Sequence, residues 1–185
     1  MLFNIIKNRR SVFPQQYNTK PITRDTILQV LEAANWAPTH KKTEPWRFKI
    51  FQDDAKLRLG DFLASTYLKE IEKPSEFKAK KISQKFKSSH TVIAICMQRD
   101  LNERVPEWEE VAATAMGVQN MWLMCTELGI GCYWSSPSLI KHTNDFLNLE
   151  KGEACLGFLY MGYYDEPIEK GYREPIENKV KWFSK

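Results

Sequence analysis

The sequence predicts an α+β layered fold in one domain spanning residues 1–185, on three observations. Amphipathic helical segments alternate with strand-length apolar runs, Thr91 to Met97 is apolar and β-branched enough for a central strand, and no internal repeat divides the chain. A chain of 185 residues can bury most of its apolar surface around one core and is short for two full-sized domains. Hydrophobic residues make up 43% and charged residues 27%, a balance that supplies both a core and a wettable surface.

Each element has a local reason. Leu2, Phe3, Ile5 and Ile6 predict a short amphipathic helix ending near Asn8, which leaves Arg9 and Arg10 where the chain turns. Thr23 is a side-chain cap for a helix from Arg24 to Trp36, with Ile27, Leu28, Val30 and Leu31 facing inward and Pro38 stopping it. Arg47 to Phe51 alternates charge and hydrophobe as a strand covered on one face. Asp53 or Asp54 caps a helix to about Glu72, and Pro74-Ser75 opens another to about Ser88 whose apolar side carries Phe77, Ile82 and Phe86.

The longest helix follows the central strand, with Pro106 in its first turn and Gly129 in the left-handed position after its end. It is apolar around most of its circumference, including Met116, and so belongs in a core or a subunit interface. Gly131 to Trp134 reads as a strand, Ser136-Pro137 as the start of a short helix over Leu139 to Leu147, and Ala154 to Tyr163 as the last strand. From Asp165 to Lys185 the chain turns polar, broken by Pro167, Gly171 and Pro175, yet Val180, Trp182 and Phe183 need a surface to cover them.

The net charge of +4 is spread along the chain, densest from Lys78 to Lys87, where it forms the solvated face of a helix. That patch is the only support for a nucleic-acid partner, and none is expected. The four cysteines show no Cys-x-x-Cys spacing and the three histidines are far apart, so no metal site is expected. With no signal-peptide pattern and no apolar run near 20 residues, the expectation is a cytoplasmic protein without a membrane partner.

Two segments carry chemistry. Arg9, Arg10 and Ser11 place two guanidinium forks beside a hydroxyl, the donors a phosphate monoester needs, although two arginines after a helix also complement its dipole. Ala37-Pro38-Thr39-His40-Lys41-Lys42-Thr43-Glu44-Pro45-Trp46 is an irregular connection fixed by two prolines, with cationic donors between them and Trp46 as a core residue opening the strand. In this order the two segments resemble the flavin-binding signature of the nitroreductase family, an early Arg-Arg-Ser followed by Ala-Pro-x and Gln-Pro-Trp. The His-Lys after Ala-Pro-x is similar to the short, YdjA-like branch of that family. The resemblance continues through Val105 to Glu109, Met121 to Pro137 and Gly157 to Gly162, covering nearly the whole chain.

The resemblance implies a mostly antiparallel central sheet flanked by helices, an intertwined homodimer with tail 165–185 docking on the partner subunit, and FMN held by Arg9, Arg10, Ser11, Trp36, His40, Trp134, Ser135 and Ser136. It implies NADH or NADPH as electron donor, with a nicotinamide contact at Met124, Cys125, Thr126, Glu127, Leu128 and Gly129. Three departures from the family pattern stand out: Trp36 and Ser135 where relatives carry Arg, and Glu44 where they carry Gln. Ser136 before Pro137 reads equally as a helix cap, Glu107 to Glu109 as an acidic first turn, and Met124 to Gly129 as plain helix packing.

The implied function is an FMN-dependent oxidoreductase that takes hydride from NAD(P)H and reduces an electron-poor acceptor, a nitroaromatic, quinone or activated alkene, by ping-pong turnover. Flavin carries that chemistry, so no catalytic nucleophile or acid-base pair is required of the protein. A non-catalytic FMN carrier or sensor is the alternative, favoured by Glu44 and Trp36.

Overall fold

The computed structural model describes residues 1–166, 169 and 171–184. Among the described residues the helices and strands run, in chain order, α1 (Leu2–Asn8), α2 (Arg24–Asn35), β1 (Trp46–Phe51), α3 (Asp53–Glu70), α4 (Glu76–Ser88), β2 (Thr91–Gln98), α5 (Glu107–Glu127), β3 (Ile130–Ser135) and β4 (Glu153–Tyr163). Short 3₁₀ turns occupy Pro14–Gln16, His40–Lys42, Ser138–His142 and Ile176–Lys179. The four strands form one sheet in the order β1-β2-β4-β3, and every pairing is antiparallel.

β2 shows why the predicted central strand is apolar throughout. Its residues alternate between two cores: Ile93 and Ile95 pack with Val30, Ala34, Val118 and Met121 of α2 and α5. Val92, Ala94 and Cys96 pack on the other face with Leu59, Leu63 and Phe86 of α3 and α4. A strand covered on both faces loses the polar alternation of a half-exposed one, here in an antiparallel sheet rather than the parallel sheets where this pattern is commonest.

Several local expectations hold. Thr23 Oγ1 accepts from Thr26 N at 3.2 Å, and Gly129 follows α5 at φ +68°. Trp46 opens β1 and is buried.

Other expectations are corrected. Leu28 and Phe77 are exposed rather than inward-facing, because each lies at the margin of its helix's apolar stripe; Lys81 covers the Phe77 ring with its ammonium 4.5 Å from the centroid. α3 ends at Glu70, two residues early, where Ile71 turns to an extended conformation. The helix over Leu139 to Leu147 is a 3₁₀ turn at Ser138–His142. Pro137 rather than Ser136 occupies the position before that turn, and the Pro137 carbonyl accepts from Ile140 N. Ser136 therefore is not a cap.

Pro167 and Lys185 lie outside the described residues. The described tail leaves Trp182 91% and Phe183 89% exposed on this single chain. No helix among the described residues is long and apolar enough to cross a membrane.

Candidate active site

The segment after α1 is bound to β3. Val12 N donates to the Cys132 carbonyl at 3.1 Å, and Ser11 bridges to Cys132 in parallel. Gly131 permits this approach, since a Cβ there would lie 2.7 Å from Val12 Cβ. Because the pairing is parallel, Ser11 meets β3 at Cys132, two residues before Trp134, and Arg10 and Arg9 lie toward the Ile130 end of the strand.

The guanidinium groups are held in distinct ways. Arg9 stacks over Trp122 of α5 with its central carbon 4.8 Å from the ring centroid, while Trp122 Nε1 donates to the Arg10 carbonyl at 3.2 Å. Arg10 Nη1 donates to the carbonyls of Lys7 at 2.6 Å and Arg9 at 2.8 Å. Arg10 Nε is buried and has no hydrogen-bond partner among the described residues. Arg173, from the tail, comes close enough to repel Arg9, whose pKa is lowered first by burial and then by Arg173 and Arg10. Among the described residues no carboxylate lies within ion-pair distance of Arg9, Arg10 or Arg173.

At β3, Trp134 is half-buried and its Nε1 donates to the Leu156 carbonyl at 3.4 Å. Gly157 of β4 packs against the same place at φ +140°. Ser136 is exposed.

The second segment lies elsewhere on the chain. Trp36 is 80% exposed at the end of α2, its indole donating to Glu32 Oε1 at 2.9 Å. His40 Nδ1 meets Glu109 Oε2 at 2.6 Å, tying the turn to the first turn of α5. Lys41, Lys42 and Glu44 all have φ between 44° and 54°. Left-handed backbone costs a non-glycine residue about 1–2 kcal/mol, and such strain persists only where surrounding contacts impose it. Those contacts are Lys41 Nζ to the Arg104 carbonyl at 3.0 Å and Glu44 N to Thr39 Oγ1 at 3.1 Å. Glu44 is exposed and has no ion-pair partner among the described residues.

Beside His40, an apolar cleft of about 340 Å³ is lined by Pro38, Trp108, Ala112 and Met116. The two segments are not brought together: Glu109 and Trp122 are thirteen positions apart on α5, which sets the His40 end roughly 20 Å from the Arg9 end. Of the remaining expected contacts, Met124 and Glu127 border a cleft of about 340 Å³ with Leu2 and Ile5. Cys125 is buried in the core, and the Thr126 hydroxyl donates to the Trp122 carbonyl at 2.9 Å.

The model of the nitroreductase family matches residues 6–163. The chain belongs to the nitroreductase family. A Bacillus subtilis protein named "Putative NAD(P)H nitroreductase YfhC" is 30% identical over 182 residues, covering 97% of this chain and 92% of its own length. A nitroreductase-like family protein from Bacillus cereus has a crystal structure that superposes with a TM-score of 0.87 at 30% identity, covering 99% of this chain and 96% of the other. A Bacteroides fragilis nitroreductase solved with bound FMN shares the fold at a TM-score of 0.74 and 21% identity, covering 99% and 98% of the two chains.

Two residues of this candidate site carry no signal in the sequence that points to it. Arg173 sits in a polar tail with no motif around it, so nothing local marked it. Glu109 was visible as a first-turn acid, and only the fold reveals His40 as its partner.

Proposed function

We propose that this chain is an FMN-dependent oxidoreductase that takes hydride from NADH or NADPH and reduces an electron-poor acceptor, a nitroaromatic, quinone or activated alkene. One observation carries the reading: among the described residues Arg9, Arg10 and Arg173 come together with no carboxylate at ion-pair distance, and the buried Arg10 Nε has no hydrogen-bond partner. Such a cluster fits a phosphate dianion, and Ser11 joins it to β3, the strand that continues to Trp134 and Ser135. When bound, FMN supplies a two-electron acceptor and donor at its ring nitrogen N5. The protein's own part is to hold the phosphate, cover the ring and limit water.

The separation between the Arg9 and His40 ends of α5 supports a homodimer. An isologous two-fold contact across α5 sets one copy's His40 beside the other's Arg10. It also covers Trp108 and Met116, and gives Trp182 and Phe183 of the tail a partner surface. Light scattering at low micromolar concentration is expected to give twice the chain mass of 21.7 kDa; a flavin-loaded monomer overturns the shared site.

Purified protein is expected to be yellow, with about one FMN per chain and weaker riboflavin binding. NADPH or NADH added without oxygen bleaches it, and an acceptor restores the colour. Donor and acceptor using one exposed flavin face in turn give parallel double-reciprocal plots, whereas intersecting lines require both bound together. A second reading, an FMN carrier without turnover, is favoured by Glu44, whose unpaired carboxylate beside the flavin would oppose the anionic reduced form. A bound flavin that neither donor bleaches decides for the carrier.

A further inference from the structure

We propose that Cys96 and Cys155 form a reversible redox pair that hydrogen peroxide or an organic hydroperoxide converts to a cross-strand disulfide, with Cys155 attacking first and Cys96 resolving. β2 and β4 pair these residues directly. Residues directly opposed across antiparallel strands have Cα atoms about 4.5–5.5 Å apart, inside the range of about 4.4–6.8 Å that disulfides span.

The register shifts at this point, from Ile95 opposite Gly157 to Cys96 opposite Cys155, which leaves Leu156 without a counterpart. A bulge bends its strand and loosens the ladder, giving the two sulfurs room to adjust. Each thiol shifts the titration of the other, Cys155 downward and Cys96 upward, which places the two side chains within reach of one another. In its thiol form Cys155 also donates to the Gly157 carbonyl, with sulfur and oxygen 3.7 Å apart.

The two sulfurs differ in a way that assigns their roles. Cys96 is buried and Cys155 is partly exposed, so peroxide reaches Cys155. The hydrogen bond from Cys96 holds the Cys155 thiol below the ordinary range, while that bond and burial push Cys96 up. Cys155 is therefore the readier of the two to ionise and to act as the nucleophile.

The steps balance. The Cys155 thiolate attacks one peroxide oxygen, the O–O bond breaks, and a sulfenic acid forms as hydroxide leaves and takes up a proton to become water (an alcohol from an organic hydroperoxide). Cys96 sulfur then attacks Cys155 sulfur, the S–O bond breaks, and the departing hydroxide takes the Cys96 proton as a further water. Two thiols lose two electrons to one peroxide. A small dithiol reverses the process.

Cys125 and Cys132 provide an internal comparison. Cys125, after burial, also pushes the Cys132 thiol up, but both are buried and they sit on α5 and β3 rather than on paired strands.

The test is thiol mapping of the intact wild-type protein. After brief exposure to stoichiometric hydrogen peroxide, denaturation and alkylation, the four thiols of each chain are expected to fall to two, with the Cys96 and Cys155 peptides joined. Dithiothreitol returns all four. Dimedone present during oxidation is expected to label Cys155 transiently in the wild type and to accumulate on it in Cys96→Ser. Four alkylatable thiols after peroxide, a bond joining Cys125 to Cys132, or dimedone on Cys96 would overturn the assignment; wild-type mapping decides it even if the variant does not fold.

Discussion

Replacing Gly157 by alanine is expected to lower the melting temperature by roughly 10 °C, since about 3 kcal/mol is lost and each kcal/mol moves a domain of this size by about 2–4 °C. Two costs add. The residue sits at φ +140°, where a side chain is strained by about 1–3 kcal/mol. Its new Cβ would lie 2.5 Å from the Ser135 carbonyl oxygen and 2.6 Å from Trp134 Nε1, and overpacking of this kind typically costs a further 1–3 kcal/mol. The carbonyl belongs to a paired strand and cannot swing aside, so β3 has to shift from β4. Because that movement displaces Trp134 and Ser135, flavin content is expected to fall with stability. Thermal melts and flavin absorbance of the purified variant check both; a melting temperature within 2 °C of wild type would show that the strand gives way freely.

Where the chain's own periodicity decided an outcome, the sequence was readable. β2 is apolar because both faces are covered, and α5 ends where Gly129 allows a left-handed turn; each is encoded within a few residues. Leu28 and Phe77 were misread because a helical stripe has edges, and only the neighbouring element decides whether an edge residue is buried. The expected helix after Ser136 failed for a related reason: its apolar residues Leu139 and Leu147 pack onto the α3–α4 face through a tight turn, and burial does not require a regular helix.

The site was legible as residue types and in part as neighbours. Ser11 reaches β3 at Cys132, two residues before Trp134, through a bridge that no local pattern announces. The arrival of Arg173 and the His40–Glu109 contact depend on long-range folding and left no local mark. The same holds for the Cys96–Cys155 pairing, since residues 59 positions apart become partners only through strand register.

Arg10→Ala is expected to weaken FMN binding roughly ten-fold or more, because one charge-assisted contact to a phosphate is worth about 1.5–3 kcal/mol. Riboflavin, which lacks the phosphate, should bind this variant as it binds wild type, and that contrast separates a phosphate role from general damage. His40→Ala is expected to lose FMN as well while leaving the arginine cluster whole. The two defects sit at opposite ends of α5 and so fall in different sites of a two-fold dimer on one chain, but in the same site when the chains are mixed. Random reassortment of equal amounts makes half the dimers mixed, and each mixed dimer has one site with both defects and one with neither. Refolding the variants together is therefore expected to restore about a quarter of wild-type high-affinity sites, read by FMN fluorescence quenching. A mixture no better than the average of its parts would assign both residues to a site within a single chain, and would remove the shared-site geometry while leaving the phosphate contact of Arg10 in place.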